Sequence, residues 1–90
     1  MEHFYVYILL SKKDNRLYIG CTNNLKRRLS QHAKGEVIST KNRRPFKLIH
    51  YEYFINKDDA VAREKFLKSG FGRSQLKLAL KKTLVDFSCQ

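Results

Sequence analysis

The sequence predicts an α+β fold, a small and mainly antiparallel three-stranded sheet flanked by helices in the order β-β-α-β-α-α. Three observations predict it. Residues 4–10 and 17–21 are rich in aromatic and β-branched side chains and are separated by only six residues, SKKDNR, which suits a hairpin. A third such run, residues 46–54, follows a segment with helical periodicity. Because a hairpin opens the chain, a single crossover remains, and a doubly wound parallel sheet is excluded.

Each element has its own signal. The hairpin turn contains the turn-forming pair Asp14-Asn15. If residues 12–15 form an even-numbered turn, opposed residues have odd sums and Tyr7 and Tyr18 project from the same face. They are then either cross-strand aromatic neighbours or two phenols on one functional surface. The helix NNLKRRLSQHAKG has Asn23 or Asn24 as N-cap, Gly35 as terminator and Leu25, Leu29 and Ala33 as its apolar stripe. At about 100° per residue, Arg28 lies on the border of that stripe, His32 within it, and Arg27 nearly opposite in solvent. An arginine at the edge of a core is a clamp on a carboxylate, Glu64 here, or a fork for phosphate. His32 is a satisfied helix histidine or a group that takes and relays a proton near neutral pH.

Residues 36–45, EVISTKNRRP, form a basic loop that ends at Pro45 and leads into the third strand. The run DDAVAREKFLKS predicts a helix over residues 58–69, with Asp58 as N-cap and Gly70 as the left-handed residue beyond its end. Ala60, Glu64, Leu67 and Phe71 then share one face, with Val61 on its flank. Glu64 faces the core, where a carboxylate costs several kcal/mol unless it is paired, hydrogen-bonded or metal-bound, so Arg28 or Lys68 is its expected ion-pair partner. Ser74 is the expected cap of a last helix reaching about residue 82, with Leu76, Leu80 and Leu84 inward.

Ninety residues, one Pro and four Gly, with no low-complexity tract, predict one domain over residues 1–90. The formal net charge of +11, beside 42% hydrophobic residues, describes a folded basic domain rather than a disordered tail. Such a domain meets a polyanion, with nucleic acid ahead of an anionic membrane surface. The apolar run of residues 4–10 is too short for a membrane span or a signal peptide. Cys21 and Cys89 lie far apart outside any metal-ligand spacing, so neither a disulfide framework nor a zinc site is indicated, and a cytoplasmic location is expected.

Tyr5-Val6-Tyr7, Tyr18-Ile19-Gly20, the segment CTNNLKRRLSQH carrying Arg28 and His32, and Ala-Arg-Glu ending at Glu64 together resemble the GIY-YIG nuclease domain. The resemblance covers nearly the whole chain. It is strongest to small stand-alone bacterial proteins related to the N-terminal nuclease domain of the bacterial excision-repair endonuclease. Tyr5 stands where the family name has its first glycine. What the resemblance implies is metal-dependent hydrolysis of phosphodiester bonds in nucleic acid, DNA foremost, in a repair or processing role.

In that reading Glu64 holds Mg²⁺ or Mn²⁺, Arg28 neutralises charge on the phosphate, and His32 belongs to the catalytic set. Tyr7 is the expected base and Tyr18 the expected positioner of water. Lys41, Arg43 and Arg44 would hold the backbone without reading bases, leaving specificity to a possible protein partner. The alternative is a non-catalytic nucleic-acid-binding module that stacks bases on Tyr51 and Tyr53. A pure binder has no use for a carboxylate beside the phosphate path, so Glu64 favours the enzyme. Glu52 is the substitute carboxylate if the helix is misplaced.

Overall fold

The computed structural model describes residues 2–88. Strand β1 (Phe4–Ser11) is central, with β2 (Leu17–Thr22) and β3 (Phe46–Phe54) antiparallel on either side. Ser11 N–H donates to the Arg16 carbonyl at 3.0 Å, which closes the turn over residues 12–15. The Ser11 hydroxyl oxygen accepts from the amides of Lys13 and Asp14, each at 3.2 Å, and Asn15 takes φ +58°. Asn tolerates that left-handed conformation better than most residues. The odd-sum register follows: Tyr7 opposes Gly20 and Leu9 opposes Tyr18.

Alternation along the strands makes two unlike faces. Val6, Ile8, Leu10, Leu17 and Ile19 point one way and form the apolar core with Ala60, Leu67 and Leu76. Tyr7, Leu9 and Tyr18 point the other way, toward helix α1 (Leu25–Ala33) and the loop that follows it. On β3 the register shifts between Ile8 and Leu9, so that Ile8 opposes His50 while Leu9 opposes Leu48. Ile49 is the extra residue of this bulge. The shift moves Phe46 and Leu48 to the tyrosine face and leaves Ile49 and Phe54 packed against the core.

Asn24 caps α1, its side chain accepting from Arg27 N–H, and Gly35 follows the helix at φ +76°. Ala33, expected in the stripe, is exposed, because it lines an open cleft between α1 and the loop rather than packing into the core. The loop contains a 3-10 turn at Lys41–Arg43.

Beyond the sheet lie α2 (Lys57–Lys68), α3 (Gly70–Ala79) and α4 (Lys81–Ser88). The expected order stands, with its last helix broken at Leu80 into two. Asn56, rather than Asp58, caps α2 by accepting from the amides of Asp58 and Asp59, which leaves both acids in the first turn where the helix dipole favours them. Gly70 is not a left-handed terminator. Ser69 ends α2 and caps α3, its hydroxyl oxygen accepting from Gly72 N–H at 3.1 Å. That sharp corner needs Gly72, where a Cβ would collide with the Phe66 carbonyl. Ser74 is therefore inside α3 rather than at its start, and Phe71 belongs to α3, where it is 67% exposed. Leu76 is buried, and Leu80 and Leu84 pack against the core as expected. No helix among the described residues is long and apolar enough to cross a membrane.

Candidate active site

The site begins with a glycine. Because Gly20 opposes Tyr7 and has no side chain, the tyrosine ring lies across β2; a Cβ at Gly20 would stand 2.5 Å from both Cζ and the hydroxyl oxygen. The hydroxyl is thereby held beneath α1, with Tyr7 only 1% exposed. There it lies 2.8 Å from His32 Nε2, while His32 Nδ1 lies 2.8 Å from Thr40 Oγ1. The Thr40 hydroxyl donates to the Val37 carbonyl at 3.4 Å, so its oxygen is free to accept from Nδ1–H. This assigns the proton to Nδ1 and makes Nε2 the acceptor for the Tyr7 hydroxyl. The result is a directed line of hydrogen bonds from Tyr7 through His32 to the loop.

Burial sets the charge state of this line. The Tyr7 phenol is pushed up to about 12, chiefly by burial, with the Arg28 hydrogen bond working in the opposite direction. His32 is pushed down to about 4, by burial first and the nearby Arg28 charge second. Both groups are neutral at pH 7. His32 does not titrate near neutrality, in contrast to the expectation for an ordinary histidine.

Arg28 leans over the same hydroxyl. Its Nε–H donates to the Tyr7 oxygen at 3.4 Å and Nη1–H to Gln31 Oε1 at 3.1 Å. The Tyr7 hydrogen bond is the largest cause holding the guanidinium in its charged form, and Tyr18 contributes to the same end. Tyr18 is the more accessible phenol, its ring centroid 6.3 Å from that of Tyr7 and 5.2 Å from that of His32. Arg27, on the far side of the helix, is exposed.

Glu64 projects from α2 and pairs with Lys68 at 3.1 Å, one helical turn on, with 22% of its side chain exposed. Its charge reaches Tyr7 and Cys21, raising the affinity of both for their protons. Of its two expected partners, Lys68 holds it and Arg28 does not. Glu52 is engaged elsewhere: Arg63 grips it through two nitrogens at 2.9 and 3.2 Å, and His50 lies 3.1 Å away. Among the described residues no group of three or more potential metal ligands occurs.

On the other side of His32, Leu29, Leu48, Phe46, Lys41 and Arg44 help to line a cleft of about 720 Å³. The three basic loop residues do different things. Lys41 is exposed. Arg43 is tied to the hairpin turn by Asp14, 2.8 Å from Nε, which holds that carboxyl well below the usual range. Arg44 donates to the carbonyls of Lys41 and Ala33 and lies against Gly35, so it closes the loop onto the end of α1. Sequence reasoning missed Thr40, which has no local signal, and the steric role of Gly20, for which the signal was the odd-sum register that places it opposite Tyr7.

Residues 3–77 match the GIY-YIG catalytic domain. A UPF0213 protein of Clostridium perfringens is 41% identical over 83 residues, spanning 91% of this chain and 88% of its own. Another UPF0213 protein, of Staphylococcus haemolyticus, is 39% identical over 79 residues, 87% of this chain and 95% of its own. The solution NMR structure of a UPF0213 protein from Bacillus halodurans superposes with a TM-score of 0.56 at 36% identity, covering 88% of this chain and 85% of that one. Likeness of this extent, in sequence and in fold alike, means that the chain belongs to the GIY-YIG catalytic domain family and, within it, to the UPF0213 proteins.

Proposed function

We propose that this chain, acting as one unit over residues 1–90, is a metal-dependent endonuclease that hydrolyses phosphodiester bonds in nucleic acid, DNA foremost, in a cytoplasmic repair or processing role. The observation that carries this reading is the state of Arg28. Its described partners are phenol and amide groups, and among the described residues no carboxylate pairs with it. A fixed guanidinium whose charge is not spent on an acid is suited to the oxygens of a phosphodiester. The net charge of +11 supplies the wider attraction.

The chain's own groups divide the work. Arg28 receives the phosphate and offsets charge that builds on it in the transition state. Tyr18, partly exposed beside Arg28, orients the attacking water. Tyr7 is too weak an acid to stand as a free phenolate, so it serves as base only by passing its own proton to His32 Nε2 as it takes one from water. Seating an anion on Arg28 cancels part of the charge that holds His32 low, which makes the histidine a better acceptor when substrate is present.

Glu64 fits a hard divalent cation, since its carboxylate is partly exposed and its ion pair is with a half-exposed lysine. With a single carboxylate offered, Mg²⁺ or Mn²⁺ would keep most of its water. When bound, the cation supplies charge stabilisation to the phosphoryl and leaving oxygens. A protein partner is the proposed source of sequence specificity.

Labelled duplex, flap, junction and single-stranded substrates, with Mg²⁺, Mn²⁺ or chelator, test the reading. Wild type is expected to cut in metal and not in chelator. Glu64→Gln is expected to lose cleavage and bind at least as tightly, while its fold is kept, because a partly exposed i,i+4 helix pair contributes only about 0.3–0.5 kcal/mol and the amide keeps the carboxylate's shape. Binding without turnover of any substrate would defeat the proposal, and so would a fully active Glu64→Gln.

A further inference from the structure

One part of the tyrosine face is left open. Tyr51 and Tyr53 on β3 are 52% and 54% exposed, on the same face as Tyr5 and Tyr7, which they oppose across the strand pair. Tyr5 meets both edge to face, at 5.9 and 5.6 Å between ring centroids, and His3 lies 5.3 Å from Tyr5 and 5.7 Å from Tyr53. None of these rings is stacked flat on another. A concave surface joins His3, Tyr5 and Tyr51 to Asn23, Asn24 and Lys26 at the start of α1, the helix that carries Arg28.

We propose that His3, Tyr5, Tyr51 and Tyr53 form a base-stacking platform for unpaired nucleotides, which makes single-stranded nucleic acid the substrate class of this chain. The inference rests on the nuclease reading and gives it a substrate. Flat π-faces in a cationic setting suit bases carried on a phosphate backbone, and every base offers a face to such a surface whatever the sequence. A duplex cannot use the platform, because its bases are already stacked on each other. Charge is complementary as well. Lys26 borders the concavity, and Glu52, the acid of β3, is turned to the opposite face and held by Arg63. Tyr5, at the position of the family name's first glycine, completes the cluster by touching the other three rings.

The path from platform to chemistry is short in the fold. Tyr51 opposes Tyr7 directly, and α1 begins at the platform and presents Arg28 one turn later. A strand laid over the rings and led past the N-terminal end of α1 reaches the Arg28 side of the helix.

Fluorescence anisotropy in chelator measures this without cleavage. Labelled oligo-dT is compared with a duplex of equal phosphate count and with an abasic strand of equal length. Wild type is expected to bind oligo-dT at least tenfold more tightly than either. Tyr51→Ala with Tyr53→Ala should remove about tenfold or more of the oligo-dT affinity and leave duplex affinity within twofold, whereas Tyr53→Phe, which keeps its ring, should bind as wild type does. Equal binding of oligo-dT and abasic strand by wild type overturns the proposal, even if the double variant misfolds. So does unchanged oligo-dT affinity in a folded double variant. The two readings fail separately: duplex cleavage at full rate without a single-strand preference removes the platform alone, and preference for oligo-dT without turnover of any substrate removes the catalytic reading alone.

Discussion

Arg27 and Arg28 are neighbours that face opposite ways, Arg27 to solvent and Arg28 to the Tyr7 hydroxyl. Arg28→Ala removes the charge proposed to meet phosphate, and cleavage should slow by about a hundredfold or more. Arg27→Ala should change little beyond a weaker, salt-sensitive affinity. Single-turnover rates of the two variants decide the matter, and equal losses would mean that the helix presents its charges otherwise.

His32 gives a second test. In the folded chain it is held at about 4, against 6.5 when unperturbed, so the unfolded chain binds this proton more readily. Its contribution to stability is complete above about pH 6.5 and is lost as the pH falls toward 4, a span worth on the order of 3 kcal/mol. Denaturant midpoints between pH 7 and 4 should fall more steeply for wild type than for His32→Gln; parallel slopes would mean that His32 is not held neutral. The contrast between Arg27 and Arg28 was legible in the sequence, since a rotation of about 100° per residue is enough to separate them. The line through Thr40 was not, because it joins residues of a strand, a helix and a loop that only tertiary packing brings together.

At the level of elements, the hairpin carries the sharpest prediction. Gly20→Ala puts a methyl group 2.5 Å from the end of the Tyr7 ring, and the ring can yield only by giving up its bonds to His32 and Arg28. Cleavage should fall tenfold or more, with about 1–3 kcal/mol of stability lost to overpacking. Melting and activity measured together check both, and an Ala variant with wild-type kcat would disconnect Tyr7's position from the chemistry. Turn parity made the facing of Tyr7 and Tyr18 legible. The β3 bulge was not, because residues 46–54 contain no Gly or Pro and the shift shows only in pairing with β1. The α2 and α3 termini were misplaced for another reason: Asn56, Asp58 and Asp59 all have cap chemistry, as do Ser69 and Ser74, and the corner is chosen by the close fit of Gly72 under Phe66.

Across the whole molecule, the sign and size of the charge were legible, but which cations remain free was not. Lys41 is exposed, whereas Arg43 and Arg44 are engaged by Asp14 and by backbone carbonyls. Log affinity should fall linearly with log salt, and Lys41→Ala should lower the slope by about 0.7–0.9, one phosphate contact, on all sequences alike. Arg43→Ala should instead loosen the hairpin turn, seen as faster amide exchange at residues 12–15. A salt titration on two unrelated sequences of equal length checks the first statement, and an unchanged slope for Lys41→Ala would refute it.

The central strand has a consequence for assembly. Val6 and Ile8 belong to the core, and Tyr7 between them belongs to the site. A slip of β1 by one residue would put the phenol into the oily layer and an aliphatic side chain under Arg28. Errors of assembly are therefore expected to announce themselves as loss of solubility rather than as a folded chain with a scrambled site. For this chain, attaining the native register and assembling the candidate site are a single event.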